Sequence, residues 1–360
     1  MSLRALVAAL LAVAVLAALS PPQPSAAKEP RTVYVSVQGS DSGPGTEKRP
    51  FRTIARALAS LRPGDTALVR AGTYTEPVTV RRSGKPSATI SLRAYPGEQP
   101  VLTGQVKLTN RWFRLSGFLL RGGTAANPDD VPLYISGADD VWVTRNTITG
   151  SATSGIFVGD EGPDPSDRVR IIGNRIQGNG DDRSFDHGLY FGHGSEGLVA
   201  NNVVSGNAAY GIQAYPDCDR ALFVGNTIVG NGRAGIIVGG NDEIASERNR
   251  FVNNVVAFNR EVGIVSYWEG PTGKGNSATA NLAYGNPDGG IGGPALAVSR
   301  TVSGDPKFVS RARGDFHLLP ASAAIDRALT EVGPKADFDG RRRPQGAESD
   351  LGAFERPSGH

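Results

Sequence analysis

The sequence predicts an all-β fold, a right-handed parallel β-helix solenoid with a short N-terminal capping helix and an irregular C-terminal cap. Three observations predict it: an Asn-led phrase recurs from Asn146 onward, a Gly-led apolar phrase recurs beside it, and the apolar runs between them are short and rich in β-branched residues. Self-similarity at a period of about 20 to 50 residues is typical of stacked repeats, in which each repeat contacts its neighbours.

The Asn-led phrase reads Asn, any residue, then Ile, Val or Leu, with a second Asn often five residues after the first. Successive leading Asn residues are 28, 28, 24, 28 and 27 residues apart. The leading residues are Asn146, Asn174, Asn202, Asn226, Asn254 and Asn281. Asn tolerates left-handed backbone geometry and bonds its own backbone, so we expect these residues to form a ladder in the turns.

The Gly-led phrase places an alternating apolar run after each Asn-led phrase. In Gly211-Ile-Gln-Ala-Tyr the alternation puts Ile212 and Ala214 on one face and Gln213 and Tyr215 on the other. The phrase begins at Gly155, Gly188, Gly211, Gly235 and Gly263. These runs are too short and too β-branched for helices, and one repeat alone cannot bury its apolar face. Stacked coils can, with backbones paired about 4.8 Å apart.

The N-terminal segment has the features of a secretory signal peptide. Arg4 precedes an apolar run over residues 5–19, which is shorter than the roughly 20 residues that span a bilayer. Small residues at Ser25 and Ala27 fit cleavage after Ala27. We therefore expect a secreted protein, a monomer, with no membrane segment after cleavage.

Both ends of the solenoid are expected to be covered, because an open end exposes strand edges and core. The segment 50–61 spaces its large apolar residues as one helical face and stops at Pro63-Gly64. The predicted organisation is a signal peptide over 1–27, a β-helix with its N-terminal cap over 28–302, and a C-terminal cap over 303–360. In that cap, Asp337, Asp339 and Asp350 suit either a calcium ion or plain solvated loops.

Composition excludes several classes of protein. Cys218 is the only cysteine, so the fold cannot rest on an intrachain disulfide. The formal net charge is +3, and Arg341-Arg342-Arg343 is the nearest approach to a basic block. A solvated turn explains that run, so we expect no nucleic-acid partner.

Both termini of the mature chain carry motifs of a known family. The opening has Tyr34-Val-Ser-Val-Gln-Gly-Ser-Asp41, Pro50-Phe51-Arg-Thr-Ile54 and Arg70-Ala-Gly-Thr-Tyr74, and the ending has Asp315-Phe-His-Leu and Asp350-Leu-Gly-Ala-Phe. This pattern resembles secreted pectate-lyase-like right-handed parallel β-helix proteins. The resemblance implies the fold and an acidic polysaccharide partner. It leaves the activity open, because a fold is not a function.

The candidate site lies where the repeat of Asn174 carries an inserted loop, 180–186, before a strand with two histidines. Insertions in solenoids map to loops on one face, often the binding face. The predicted catalytic residues are His187 and Tyr190, and Asp186 is a speculative calcium ligand. The predicted substrate-binding residues are His193, Gln213, Tyr215, Arg233, Tyr267 and Trp268. Aligning the Gly phrases places Tyr190 beside Gln213.

These residues suit chemistry on a uronate. Aromatic rings pack against sugar C–H faces, and removal of the C5 proton needs a base and a group that neutralises the carboxylate. His187 or Tyr190 can be the base or the acid, while Arg233, Gln213 or calcium can neutralise. No lysine occurs between Lys107 and Lys274, so the sequence departs from relatives that use a lysine base.

Other interpretations remain open. Alternation makes His187 a core or turn residue as readily as a catalytic one, and Tyr190 beside Gln213 can be a simple cross-strand pair. The leading hypothesis is a polysaccharide lyase or C5 epimerase. The alternatives are a non-catalytic carbohydrate-binding protein, a structural surface protein, and a glycoside hydrolase, which needs two carboxylates across the scissile bond.

Overall fold

The computed structural model describes residues 29–123, 130–159, 164–266 and 271–357. Within these ranges the chain has one α-helix, α1 (Ile54–Ser60), one 3₁₀ turn (Arg311–Arg313), and short β-strands that we number β1 to β32 in chain order. None of the helical structure described is long and apolar enough to cross a membrane. The predicted signal peptide, 1–27, lies outside the described residues.

Three parallel sheets, A, B and C, run along the solenoid with 11, 10 and 9 strands, and each complete coil contributes one strand to each sheet. Sheet A consists of β1 (Thr32–Val35), β2 (Thr66–Val69), β5 (Ile90–Ala94), β8 (Phe113–Ser116), β11 (Val141–Thr144), β14 (Arg170–Ile172), β17 (Leu198–Ala200), β20 (Leu222–Val224), β23 (Arg250–Val252), β26 (Asn276–Thr279) and β29 (Leu296–Ser299). Sheet B consists of β3 (Thr73–Tyr74), β6 (Val101–Leu102), β9 (Leu119–Leu120), β12 (Thr147–Thr149), β15 (Arg175–Gln177), β18 (Val203–Ser205), β21 (Thr227–Val229), β24 (Val255–Ala257), β27 (Leu282–Tyr284) and β30 (Val302–Ser303).

Sheet C consists of β4 (Val78–Thr79), β7 (Val106–Leu108), β10 (Leu133–Ile135), β13 (Ile156–Val158), β16 (Leu189–Ser195), β19 (Ile212–Asp219), β22 (Ile236–Val238), β25 (Val262–Ser266) and β28 (Gly289–Gly292). Alternate residues of each strand point inward and stack on the same position of the next coil. One such column is fully buried and consists of Ile156, Leu189, Ile212, Ile236 and Ile264. The prediction of a parallel β-solenoid is confirmed.

The Asn phrases form two ladders, one at each end of sheet B. Asn202 Nδ2 donates to Asn226 Oδ1 at 3.0 Å and to the carbonyl of Ile171 at 2.8 Å, and its Oδ1 accepts from Asn174 Nδ2 at 3.0 Å. The second ladder, through Asn207 and its counterparts on other coils, repeats the pattern. The ladder prediction is confirmed, and the amides satisfy backbone carbonyls of the short strands beside the turns.

The expectation that the ladder Asn residues themselves have left-handed backbone geometry is wrong, because that geometry lies one residue earlier. The residue before each ladder Asn has the positive φ, for example Arg145 (56°) before Asn146 and Asn201 (52°) before Asn202. The turn needs one left-handed residue to reverse direction, and the Asn after it turns its amide inward to bond the neighbouring coils.

The start of the solenoid is closed by α1, as the apolar spacing predicts. Thr53 Oγ1 accepts from Arg56 N at 3.1 Å and caps the helix. Ile54, Ala57 and Leu61 are buried in the same apolar core as the first strands. The helix therefore covers the open edge of the first coil.

The C-terminal segment is irregular, with a short antiparallel pair, β31 (Phe308–Ser310) and β32 (Asp315–Leu318). It packs along the outer side of the solenoid and reaches the last coils, where Leu318 and Ala324 join Leu282 and Val302. Phe354 packs with Val203 and Val229 of sheet B, and Leu329 packs with Val224 of sheet A. Outward apolar residues on these strands require a cover, which the tail provides.

Candidate active site

Two strands of sheet C extend beyond their neighbours. Strands β16 and β19 have seven and eight residues, whereas β13 and β22 beside them have three. Phe191 pairs with Ala214, but His193 pairs with Asp217, so two residues of β19 stand opposite one residue of β16. This is a β-bulge, a feature that often re-aims side chains beside active sites.

The bulge creates a histidine–carboxylate pair at the corner between sheets C and A. His193 Nε2 lies 3.2 Å from Asp217 Oδ2, and the two side chains are 26% and 32% exposed. Partial exposure leaves the imidazole reachable from solvent while the carboxylate fixes its orientation. This pair is the strongest candidate for proton transfer among the described residues of sheet C.

An aromatic column runs along the outer face of sheet C toward this corner. Tyr134, Phe157 and Tyr190 are in register on successive strands, with ring centroids 5.3 and 4.8 Å apart. Lys107 lies over the Tyr134 ring at the far end, 4.9 Å from its centroid. Gln213 follows Tyr190 in the same register, which confirms the predicted pairing of the two residues.

Tyr190 leans from this column toward the corner. A Cβ placed on Gly192 would lie 2.9 Å from Tyr190 Cε1, so the tyrosine ring covers the glycine that precedes His193. Beyond Tyr190, Gln213 Oε1 is buried and has no hydrogen-bond partner in the described part of the chain. An unsatisfied buried acceptor is costly, and such atoms often belong to functional sites.

His187 lies outside the solenoid core, under the inserted loop, and is 4% exposed. Its ring stacks between Tyr190 and Tyr210, at centroid distances of 5.7 and 5.2 Å, and Nδ1 accepts from Tyr210 N at 3.4 Å. Burial, with a contribution from the charge of Arg233, lowers the pKa of His187 to about 3. The ring is therefore neutral and acts as a spacer in an aromatic stack.

Arg233 is not directed at an open groove. Its guanidinium lies 4.6 Å from the Tyr210 centroid, and Nε donates to Glu261 Oε1 at 3.0 Å. The pair is partly exposed, with 28% and 29% of the side chains accessible. Because Glu261 already balances its charge, Arg233 is a weaker candidate for neutralising a substrate carboxylate.

The inserted loop is organised by Asp186. Its Oδ2 accepts from Asp181 N at 3.0 Å and from Asp182 N at 2.7 Å. Arg183 Nη2 donates to the Gly232 carbonyl at 2.8 Å and ties the loop to a later coil. The Asp186 carboxylate therefore accepts hydrogen bonds that hold the loop in shape.

The other predicted site residues divide between described and undescribed positions. Tyr215 stands on the bulge, half-buried, and is joined to Pro216 by a cis peptide bond. Tyr267 and Trp268 lie outside the described residues.

The described residues do not fit a calcium site. They contain no group of three or more His, Cys, Asp or Glu side chains that could hold a metal ion. In the tail, Asp337 accepts from Arg341 N and Glu355 N at 2.7 and 2.9 Å, and Asp350 is also bonded to backbone amides.

Sequence reasoning missed Asp217. The residue that could have revealed it is Pro216, which breaks the alternating pattern of the strand. Proline within a sheet is found at edge strands or at bulges. Reading Tyr215-Pro216-Asp217 as a bulge would have shifted Asp217 opposite His193.

The fold and this corner define a class: parallel β-helix proteins with an aromatic face on one sheet. Residues 33–221, more than half of the chain, match the family model described as Pel9A-like, right handed beta helix region. The chain belongs to this family, and the predicted right-handed parallel β-helix is confirmed.

Individual relatives match over shorter stretches. The uncharacterized protein YwoF of Bacillus subtilis is 41% identical over 73 residues, which cover 20% of this chain and 16% of the relative. Pectate lyase PEL9 of Emericella nidulans is 39% identical over 75 residues, covering 20% and 18%. The chain thus spans less than a fifth of the length of either curated relative.

Solved structures match over nearly the whole chain. The crystal structure of pectate lyase Pel9A has a TM-score of 0.63 at 16% identity, and the match covers 92% of this chain and 98% of that one. A rhamnogalacturonan lyase has a TM-score of 0.57 at 16% identity, with coverage of 89% and 96%. These likenesses show the fold.

Proposed function

We propose that this chain is a secreted protein that removes the C5 proton from a uronate unit of an acidic polysaccharide, as a lyase or a C5 epimerase. The observation that carries the proposal is the His193–Asp217 pair, set by a bulge at the end of an aromatic column. The names of the relatives, pectate lyase and rhamnogalacturonan lyase, support the class of substrate.

Substrate binding is assigned to the outer face of sheet C. Phe157 and Tyr190 are half-buried, and their exposed edges provide flat apolar surface for the C–H face of a sugar ring. Tyr215 borders the same corner. Because the column crosses several coils, a polymer lying along it contacts more than one sugar unit.

His193 is assigned as the base. With Nε2 facing Asp217 Oδ2 at 3.2 Å, the ring leaves Nδ1 to accept the C5 proton, and the nearby Asp217 carboxylate stabilises the imidazolium that forms. In a lyase the C5–H electron pair forms the C4–C5 double bond, the C4–O bond breaks, and the leaving oxygen takes a proton. In an epimerase a proton returns to C5 from the opposite face.

Tyr190 is assigned as the acid, since its ring lies over Gly192 beside His193. Gln213, in register with Tyr190, is the described side chain best placed to donate its amide N–H to the substrate carboxylate. The earlier hypothesis that His187 is the base stays a prediction. Its burial and its pKa of about 3 favour a positioning role for the ring instead.

A panel of acidic polymers tests the proposal. Purified protein is mixed with polygalacturonate, alginate or a glycosaminoglycan, with calcium or with chelator, and the absorbance of the unsaturated uronate is recorded. A rise on one polymer identifies a lyase, and loss of that rise in chelator supports the calcium prediction. A binding signal without any chemical change to any polymer overturns the enzymatic proposal in favour of a non-catalytic binding protein.

His193→Ala is the matching active-site variant, and His317→Ala is its control. His317 is another half-exposed histidine paired with carboxylates, Asp315 at 2.6 Å and Asp339 at 2.7 Å, but it lies in the tail. The first variant should abolish turnover and the second should retain it. Secretion is tested by N-terminal sequencing of exported protein, which should begin at Lys28.

A further inference from the structure

Sheet A carries a second surface in which arginine and tryptophan alternate. Arg114, Trp142 and Arg170 are in register on the adjacent strands β8, β11 and β14. The residues before and after each of them are fully buried, so the three side chains point outward. Sheets A and C are different faces of the solenoid, so this surface is separate from the aromatic column of sheet C.

Trp142 holds the two arginines in place. The guanidinium carbons of Arg114 and Arg170 lie 5.6 and 5.8 Å from the Trp142 ring centroid, within the range of a cation–π contact. The Trp112 ring lies 6.1 Å from Trp142 and adds apolar area beside them. A guanidinium stacked on a ring keeps its N–H donors in its own plane and available to an anion.

Among the described residues, no carboxylate pairs with the two arginines of this surface. Neighbouring arginines are paired, Arg111 with Asp139 at 3.1 Å and Arg168 with Asp140 at 2.9 Å. Arg114 and Arg170, by contrast, have no carboxylate partner in the described ranges of the chain. Two preorganised cations without counter-charges form an anion-binding surface.

The tail leaves this surface uncovered. Further along the same column, Leu198 and Leu222 pack with the tail residues Leu329 and Val332, whereas Arg114 is exposed and Arg170 half-exposed. The outward column of sheet A is therefore apolar at Leu198 and Leu222, beside the tail, and carries solvent-accessible arginines at positions 114 and 170.

The spacing of the cations indicates the ligand. Arg114 and Arg170 are two strands apart, which corresponds to about 10 Å. A nucleic acid duplex carries about one charge per 1.7 Å and calls for a denser basic surface. A polymer with about one carboxylate per sugar has the sparser charge that two guanidiniums can match. We propose that the Arg114–Trp142–Arg170 surface is a second binding site for an acidic polysaccharide.

Binding at the sheet A surface does not require catalysis at sheet C. Either proposal can therefore be overturned by experiment while the other holds. Two attachment points on one polymer raise its effective concentration at the other site. Loss of the sheet A site should therefore weaken action on long polymers and leave action on short oligomers unchanged.

Tryptophan fluorescence allows a direct test, because the chain has three tryptophans, Trp112, Trp142 and Trp268. In a Trp268→Phe protein, both remaining emitters belong to the sheet A surface. This protein is titrated with polygalacturonate, alginate, neutral dextran and single-stranded DNA, at low and at high salt. The same titration is done with R114A/R170A, with R250A and with H193A in that background. Arg250 is an exposed arginine of the same column whose register neighbours are Leu222 and Ser277.

The expected result is a salt-sensitive fluorescence change with an acidic polysaccharide, none with dextran, and affinity about tenfold weaker in R114A/R170A. R250A and H193A should bind like the parent. No change with either acidic polymer, equal binding by R114A/R170A, or a response to DNA alone would each overturn the proposal. Unchanged thermal unfolding of the double variant shows that the loss is local.

Discussion

His193 Nε2 and Asp217 Oδ2 lie 3.2 Å apart because a bulge at Tyr215 and Pro216 moves the register of β19 by one residue. Without the bulge, Pro216 would stand opposite His193. The bulge therefore sets the carboxylate beside the imidazole at the corner between sheets C and A.

Asp217→Asn should lower kcat by about 100-fold while leaving KM nearly unchanged, since an amide holds the ring but does not stabilise its charge. The measurement is steady-state kinetics on the polymer that the panel identifies. Asp315→Asn, which alters the histidine pair of the tail, is the matched control. Equal kcat in the two variants would contradict the assignment.

His187 should make the protein less stable in acid. Its pKa is 6.5 in an unfolded chain and about 3 in the folded one. Below pH 6.5, therefore, the unfolded state binds a proton at this residue and the folded state does not. This contribution to stability is complete above pH 6.5 and is lost as the pH falls toward 3, by up to about 1.4 kcal/mol per pH unit. His187→Gln should flatten the decline, as followed by urea unfolding at several pH values. An unchanged slope would show that the ring is not buried in solution.

Gln213→Leu should make the protein more stable and weaken its binding of the substrate. Removing a buried acceptor that has no partner among the described residues should raise the free energy of unfolding by about 1 kcal/mol. Loss of the amide should also raise KM for the acidic polymer. Thermal unfolding and kinetics measure the two effects, and Gln177→Leu on sheet B is the control, for which we expect neither. A destabilised Gln213→Leu protein would mean that the amide has a partner in solution.

The contribution of a ladder Asn to the free energy of unfolding should depend on its position along the solenoid. Asn202→Ala removes bonds to coils on both sides, in a fully buried place, and should cost about 3 kcal/mol in unfolding free energy. Asn286→Ala, at the end of the second ladder, removes bonds to one side only and should cost less. Urea unfolding of the two variants checks the order, and equal losses would argue against the ladder as a cooperative element.

The repeating part of the fold could be predicted from the sequence because its repeated residues have a steric cause. The Gly column, for instance, exists because a Cβ on Gly211 would lie 2.7 Å from the Gly235 carbonyl and 2.8 Å from Asn231 Nδ2. Similar contacts recur at Gly155, Gly188, Gly235 and Gly263, so they appear in the sequence as a period. The helix over 54–60 followed in the same way from its apolar spacing and the Pro63-Gly64 stop.

The rest depends on contacts that do not repeat. The tail lies on the side of the solenoid because outward apolar residues such as Val203 and Val224 must be covered, and the sequence alone did not distinguish these from inward ones. Likewise, straight alternation could not show that His187 precedes its strand and stacks on Tyr210. A bulge or a loop breaks the period on which sequence reasoning rests.

The most direct measurement is the loss of C5 protons from the acidic polymer in deuterated water, followed by NMR. It detects elimination and epimerisation alike, because both begin with removal of the same proton. We expect loss of the C5 signal with the native protein and with His317→Ala, and a rate lower by about 100-fold or more with His193→Ala. Intact C5 protons with the native protein, or an undiminished rate with His193→Ala, would contradict this expectation.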